Sequence, residues 1–334
     1  MMSRKKMLVT GGSGFIGGNF VQYMVQHYPN YDIYNLDVLT YAADLRKHKA
    51  IETKPNYFFI HGDITDFTTI YSLFKKEQFD FVVHFAAESH VDRSIQNPPI
   101  FTHTNVLGTQ VLLEAAKQVG IEKFIHISTD EVYGELEWDE PTLFTEETPL
   151  QPNSPYSASK ASSDLLVLAY FKTYGMPINI TRCSNNYGPF QFPEKLIPLT
   201  ILRALKDEKI SVYGNGENIR DWLHVMDHCK AIDLVVHEGI SGEIYNVGGN
   251  NEWQNIEIVK IILQSLGKSE ELITFVRDRL GHDKRYGIDA TKLQRLGWKP
   301  KYTFDKGISE TIQWYLNNED WWGPILNKSY QTVQ

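Results

Sequence analysis

Through the first half of the chain, short apolar runs alternate with stretches of helical spacing. Lys6–Thr10, Ile33–Asp37, Tyr57–His61, Phe79–Phe85 and Phe124–Ser128 read as strands, each closing on turn or polar residues. The stretches between them repeat their apolar positions every three or four residues, as in Leu112, Leu113, Ala116 and Val119. Strands alternating with helices build parallel βαβ units, so the pattern predicts an α/β fold, a Rossmann-type doubly wound parallel sheet. The run from Phe81 to Phe85, apolar except for His84, suits a strand covered on both faces.

After about residue 185 the rhythm breaks up into turn clusters such as Tyr187-Gly188-Pro189 and Tyr213-Gly214-Asn215-Gly216. Ile178–Thr181 and Ile244–Val247 still read as strands able to join the first sheet. The expected organisation is a Rossmann domain over 1–185 that also takes in about 225–250. A smaller, partly interleaved C-terminal domain covers most of 186–334.

Composition narrows the function classes. A chain of 334 residues has room for about two domains and a core that needs no staples. With 33 basic and 41 acidic residues the net charge is −8, which argues against binding to nucleic acid or to an anionic membrane. A few well-placed Arg and Lys side chains are still enough for one anionic small molecule. The two cysteines, Cys183 and Cys229, form no paired motif, so a reducing compartment is expected. Arg4-Lys5-Lys6 precedes only three apolar residues, Met7–Val9, too few for a signal peptide, and no run approaches the roughly 18 apolar residues of a membrane span. The expectation is a soluble cytoplasmic protein.

The first chemical signal follows the first strand. Gly11, Gly14 and Gly17 are spaced three apart between a strand and a helix. In that position the first allows a tight turn, the second lets a pyrophosphate approach the backbone, and the third lets helix pack on strand. The helix start supplies N–H groups for the phosphates. A glycine turn that binds nothing is the alternative, but Asp37 closes the next strand 20 residues after Gly17. An acid there accepts ribose hydroxyls and repels a 2′-phosphate, which points to NAD over NADP.

The second signal is Tyr156 and Lys160, a phenol and an ammonium one helical turn apart. A neighbouring cation favours the phenolate over an unperturbed pKa near 10. Alone the pair reads as a solvated helix face. Behind a dinucleotide motif, and after Ser128-Thr129 at a strand end, it reads as an oxidation site.

These motifs together resemble the extended short-chain dehydrogenase/reductase superfamily. Phe85 to Arg93 (FAAESHVDR), Ser128 to Gly134 (STDEVYG) and Asn185 to Pro189 (NNYGP) resemble more specifically the dTDP-glucose 4,6-dehydratase family, with the likeness running from about residue 7 to about 315. The resemblance implies a hydro-lyase, a nucleotide-sugar 4,6-dehydratase. It oxidises dTDP-glucose at carbon 4, eliminates water across carbons 5 and 6, and returns hydride to carbon 6. The product is dTDP-4-keto-6-deoxyglucose, feeding deoxysugar biosynthesis such as that of rhamnose. NAD would be tightly bound and regenerated in each turnover. Thr129, Asp130, Glu131, Tyr156 and Lys160 are the implied catalytic residues, with Asp130 as acid and Glu131 as base. Two carboxyl groups serve opposite roles if their environments separate their pKa values. Neighbours on an extended strand point to opposite faces, so both reach one sugar only if the backbone leaves strand geometry there.

By the same resemblance the glycine loop (Gly11, Gly14, Phe15, Ile16, Gly17) holds the cofactor with Asp37, Thr40, Asp63 and Ile64. Phe85, Ala86, Ala87, Ser89, Thr104 and Asn186 join them, along with Tyr156 and Lys160. Ser89, Thr129, Asn185, Leu196, Tyr213 and Asn255 would line the sugar-nucleotide pocket. Lys195, Arg220 and Arg279, with His282 nearby, would meet the diphosphate, which suits planar guanidinium groups. The family pattern has Pro where this chain has Leu280, which loosens the loop carrying Arg279 and His282.

Rival readings remain at this point: a UDP- or CDP-glucose 4,6-dehydratase, a UDP-sugar 4-epimerase, or a non-catalytic NAD-sensing protein. The acidic pair speaks against the last two. His224 and His228 have the spacing of a metal pair but no third ligand, so no metal is expected. The stripes Val106-Leu107-Val111-Leu112 and Leu165-Leu166-Leu168-Ala169 face either the core or, as the resemblance implies, a homodimer interface.

Overall fold

The computed structural model describes residues 4–139 and 141–331. Its strands are β1 (Lys5–Thr10), β2 (Tyr31–Asp37), β3 (Tyr57–His61), β4 (Phe81–His84), β5 (Lys123–Thr129) and β6 (Ile178–Cys183). Shorter ones follow: β7 (Asn185–Tyr187), β8 (Ile210–Tyr213), β9 (Ile219–His224), β10 (Ile244–Val247), β11 (Glu252–Gln254) and β12 (Ile273–Val276). Seven of them form one sheet in the order β10-β6-β5-β4-β1-β2-β3. Every pairing in it is parallel.

Strand order reverses between β1 and β4, with Thr10 opposite Leu36 on one side and His84 on the other. Loops from the two halves diverge at such a point and leave a crevice at the carboxyl ends of the strands. Alternating residues of β1 feed two cores. Met7 and Val9 pack beneath the helices Phe15–His27 and Val225–Glu238. Leu8 packs beneath the helices Phe67–Glu77, Gly108–Val119 and Pro155–Tyr174.

The sequence boundaries shift in two informative places. The strand expected over Phe79–Phe85 shortens to Phe81–His84, although Phe85 N still donates to Thr10 O at 3.1 Å. The strand expected to stop at Ser128 continues to Thr129, and the chain then turns at once into a 3₁₀ helix over Asp130–Tyr133.

Local signals fix the helix Pro155–Tyr174. Ser154 and Ser157 form a reciprocal capping box, Pro155 opens the first turn, and Gly175 closes it in the left-handed region at φ 65°. Against it pack Val91–Gln96, Pro98–Phe101 and a π-helical turn over Thr102–Leu107. Of the two apolar stripes, Val111 and Leu112 enter the core, whereas Leu107 and Leu165 remain exposed.

The remaining chain builds a second layer over the crevice. β11-β9-β7 form a small sheet and β12-β8 a parallel pair. The helices Leu196–Leu205, Asn255–Ser265 and Phe304–Asn317 share a third core containing Trp222, Trp321 and Trp322. Among the described residues no helix is long and apolar enough to cross a membrane.

Candidate active site

The carboxyl ends of the strands open into a cavity of about 480 Å³. Its lining contains all of the expected cofactor positions, from Gly11, Gly14, Phe15, Ile16 and Gly17 through Asp37, Thr40, Asp63 and Ile64. Phe85, Ala86, Ala87, Ser89, Thr104, Asn186, Tyr156 and Lys160 line it as well.

The cradle is made of backbone. Gly11 has φ +69°, and a Cβ there would lie 2.6 Å from Ala86 N, so only glycine fits. No side chain caps the helix that starts at Phe15, which leaves its first N–H groups for an anion. Asp37 is fixed before any ligand arrives: Ser13 N donates to Oδ2 at 2.9 Å and Leu39 N to Oδ1 at 2.8 Å. Burial raises its pKa, while those N–H groups and Lys47 oppose the rise. A carboxylate accepting one bond per oxygen keeps acceptor capacity for a ribose diol. Glycine cradle and acid together fit NAD.

Opposite the cradle, the helix Pro155–Tyr174 presents Tyr156 and Lys160. Lys160 Nζ donates to Ile127 O at 2.7 Å and lies 3.5 Å from His126 Nε2. Burial brings its pKa down to about 8, and Asp164 limits the fall. Tyr156 departs from the sequence expectation. Burial first, then the carboxylates of Glu131 and Asp130, push its phenol well above the usual value, although the Thr129 hydroxyl opposes them. With the protein's own groups alone, the phenol stays protonated.

The 3₁₀ turn resolves the geometric difficulty of neighbouring acids. Thr129 Oγ1 accepts from Glu131 N at 3.3 Å and starts the turn, so Asp130 and Glu131 leave strand geometry and both line the cavity. Asp130 is only 2% exposed, and among the described residues its Oδ2 has no partner. Burial, with Glu131 and Asp221 beside it, lifts its pKa well above the ordinary value. Burial raises Glu131 too, but Arg279, Arg220 and Lys195 pull against it. The two acids sit in unequal fields.

The expected substrate positions divide. Ser89, Thr129, Asn185 and Lys195 line the cavity, whereas Leu196, Tyr213, Arg220, Asn255, Arg279 and His282 lie outside its lining. Leu196 packs between the helices of the second layer, and Asn255 N donates to Asn218 O at the start of its helix. Arg220 is buried, donating to Ile219 O at 2.7 Å and Asp283 O at 2.9 Å, with its guanidinium 4.3 Å from the Tyr286 ring. Arg279 reaches Asp92 at 3.8 Å. Tyr213 meets His282 edge-on, and His282 pairs with Asp278 at 2.6 Å. Burial, then Arg279, brings the pKa of that imidazole down to about 4.

His224 stacks on Tyr302 with centroids 3.8 Å apart, and His228 Nδ1 bonds Asn186 Oδ1 at 2.9 Å. Among the described residues no group of three His, Cys, Asp or Glu is placed to hold a metal.

Several residues escape the sequence reading. Lys47 Nζ donates to Gly14 O at 2.7 Å and His48 Nε2 bonds Gly12 O at 2.8 Å, bracing the cradle from below. Asn105, in the π-helical turn, clamps Glu88 N and O and donates to Ser159 Oγ at 2.8 Å. His126, Asp164, Arg182 and Tyr133 are buried. Only Asp164 carried a sequence signal, its place one turn after Lys160.

A Rossmann crevice with a Tyr/Lys helix and an acidic turn at its mouth defines a nucleotide-sugar enzyme of the short-chain dehydrogenase/reductase class. The profile of the GDP-mannose 4,6 dehydratase family matches residues 8–311. A dTDP-glucose 4,6-dehydratase of Escherichia coli is 49% identical over 97% of each chain. The dTDP-glucose 4,6-dehydratase of Bacillus anthracis, solved in complex with NAD, is 52% identical with a TM-score of 0.90, covering 96% of this chain and 99% of its own. That of Streptomyces venezuelae, solved with NAD and dTDP bound, is 46% identical with a TM-score of 0.92 and the same coverage. The chain belongs to the dTDP-glucose 4,6-dehydratase family.

Proposed function

We infer that this protein is an NAD-dependent hydro-lyase that converts dTDP-glucose to dTDP-4-keto-6-deoxyglucose. The observation that carries the reading is the Asp130–Glu131 turn, a buried acid and a half-buried one in unequal fields lining one cavity with a Tyr/Lys pair. Epimerisation at carbon 4 needs no such pair, and a cofactor sensor needs none of the four groups.

Bound NAD supplies the two-electron acceptor for carbon 4 and the donor for carbon 6. The Tyr156 phenolate, favoured by the buried Lys160 ammonium and, with NAD bound, by the nicotinamide cation, takes the 4-hydroxyl proton and becomes the phenol. The ketone so created acidifies carbon 5, and Glu131, whose ionised form the nearby cations favour, removes that proton. Asp130, held neutral by burial, protonates the departing 6-hydroxyl, and when hydride returns to carbon 6 the proton taken up by Glu131 goes back to carbon 5. Thr129 supports both ends of this arrangement, capping the turn and donating to Asp130 Oδ1 at 3.3 Å. Lys195, Arg220 and Arg279 supply positive charge for the diphosphate, with Asn185, Leu196, Tyr213, Asn255 and His282 around the nucleotide.

The proposal extends to organisation. Residues 1–185 with about 225–250 form the cofactor unit, since β10 and the helix Val225–Glu238 belong to the large sheet layer. The rest of 186–334 forms the sugar-nucleotide unit. A homodimer is supported by Ile95, Leu107 and Leu165, large apolar side chains left exposed on segments that pack together. Two free, buried cysteines agree with a cytoplasmic setting.

The test is to incubate purified protein, with no added NAD, with dTDP-glucose and separately with UDP-glucose, and to follow product mass. Loss of one water from dTDP-glucose alone is expected. Unchanged mass with bound NAD confirmed would overturn the dehydratase reading, and equal turnover of UDP-glucose would overturn the nucleotide assignment.

A further inference from the structure

We propose that Asp164, Arg182 and Tyr133 form a buried strut that holds the Asp130–Glu131 turn at a fixed distance from the Tyr156–Lys160 helix. These three are positioning residues for the elimination step. The inference rests on the dehydratase reading above and deepens it, because it concerns how the two halves of the reaction are kept in register.

The chain of contacts is continuous. Asp164 follows Lys160 by one helical turn, so it shares a face with both Lys160 and Tyr156. Its Oδ2 accepts from Arg182 Nε at 2.8 Å. Arg182, on β6, donates through Nη1 to the Tyr133 hydroxyl at 3.0 Å, with the guanidinium 4.8 Å from the ring centre. Tyr133 is the last residue of the turn that begins with Asp130 and Glu131. Its hydroxyl donates onward to Asn246 Oδ1 at 2.8 Å, and its ring stacks on Phe144 at 5.1 Å. Asn246 Nδ2 in turn donates to Phe144 O at 3.1 Å, which closes the far end. None of the four polar side chains is more than 2% exposed.

Two physical arguments make the strut a positioning device. A single 3₁₀ turn is weakly held by its own bonds, and here the closing bond from Gly134 N to Glu131 O is long, at 3.4 Å. Catalytic carboxyl groups must be held to a fraction of an ångström, and a misplacement of 1 Å can cost about 100-fold in rate. The second argument concerns cost. A buried ion pair is often no more stabilising than an apolar pair of the same volume, because desolvation offsets the attraction. Arg182 is among the largest fully buried side chains of the molecule. Such a group beneath a reactive turn is explained by the fixed geometry it imposes.

Two variants test this. Tyr133→Phe keeps the ring and removes the hydroxyl that receives Arg182. The double variant Asp164→Leu/Arg182→Met replaces the ion pair with apolar groups, and because it also removes the carboxylate that limits the fall of the Lys160 pKa, its oxidation step is compared with the parent's in the same assay. Each is assayed with dTDP-glucose for kcat, KM, thermal midpoint and the near-ultraviolet absorbance of reduced nicotinamide during turnover. If the strut sets the acids against the sugar, oxidation at carbon 4 continues while elimination lags. The expected result is kcat lower by about 10- to 100-fold, an unchanged KM, and reduced cofactor accumulating to a fraction not seen in the parent protein. A loss of kcat with no accumulation of reduced cofactor in Tyr133→Phe overturns the inference, as does parental behaviour of that variant. If the double variant fails to fold, Tyr133→Phe decides alone. Failure of the parent protein itself to dehydrate dTDP-glucose would instead overturn the functional reading.

Discussion

On the sheet side of the cleft, Gly11, Asp37 and the Asp130–Tyr133 turn all stand at or just beyond a strand end. Their positions are set by the backbone of the most buried part of the molecule. On the opposite side, Lys195 comes from the start of a helix, Arg220 from a short strand and Arg279 from an irregular loop. These are long side chains, and two of them, Lys195 and Arg220, donate to main-chain carbonyls. The first wall is built to hold reacting atoms still. The second, proposed to supply charge from Lys195 on the cavity lining and from Arg220 and Arg279 outside it, needs less exact placement because Coulomb attraction falls off slowly with distance. Substitutions on the first wall should therefore damage the chemical step or cofactor retention, and those on the second should weaken substrate affinity.

The sharpest break of that contrast is Glu131→Gln. Removing a positioned general base costs about 10²- to 10⁴-fold in rate, and the variant should lose that much kcat while retaining its NAD. Cofactor released on denaturation and product formation by mass measure the two sides. A drop in KM performance with an intact kcat would put Glu131 on the wrong wall.

Gly11→Val comes next. Its left-handed backbone and the closeness of Ala86 N leave no room for a side chain, and strain of this kind costs about 1–3 kcal/mol. NAD affinity should fall roughly 10- to 100-fold, read as cofactor lost on gel filtration. Normal retention would mean that the loop rebuilds around valine and is less rigid than its contacts imply.

Burial on the first wall also sets a pH limit. Lys160 is brought down to about 8 by burial, with Asp164 working against the shift. Its ammonium is present below that pH and lost above it, so stabilisation of the Tyr156 phenolate disappears on the alkaline side. The value of kcat/KM should decline about tenfold per pH unit above pH about 8. A profile that stays flat well into the alkaline range would remove Lys160 from the oxidation step.

The same contrast decides what could be read from the chain. The cradle was legible because it is contiguous: a strand, three glycines and a helix, with Asp37 at the next strand end. The sheet itself followed from runs such as Phe81–His84, whose buried pattern has no alternation to misread. Asp130 and Glu131 were visible as a pair, but the 3₁₀ turn that lets both face one cavity was not, since one residue of strand length decides it. Arg182 was invisible. Nothing in its neighbourhood in sequence says that it will meet Asp164, 18 residues back, and Tyr133, 49 residues back. The cations proposed for the diphosphate rest on family resemblance alone, because an isolated basic residue has no local pattern. The phenol of Tyr156 shows the limit of pairwise reasoning: the neighbouring cation was foreseen, and the burial that outweighs it was not.

The second wall yields smaller effects, and they sharpen the contrast more than they break it. Arg279→Gln removes a charge that acts on Glu131 through space and that is proposed to meet the diphosphate. A charge-assisted bond to phosphate is worth about 1.5–3 kcal/mol, so KM should rise by at least about tenfold, with a smaller fall in kcat as the Glu131 pKa climbs without its main neighbouring cation.

Leu280→Pro asks the subtler question of whether that loop is merely loose. Leu280 is 73% exposed and precedes Gly281 at φ +61°. A residue before a positive-φ glycine in a turn is where proline fits best. Among the described residues Leu280 N makes no backbone hydrogen bond that proline would abolish. Proline there restricts the free chain by about 0.4–1 kcal/mol, a factor of about two to five if all of it appears as pre-ordering of Arg279. Steady-state kinetics should then give a KM lower by that factor at constant kcat. A higher KM would show that the loop must move to admit the sugar nucleotide. In that case leucine at this position serves entry, and the second wall is mobile by construction.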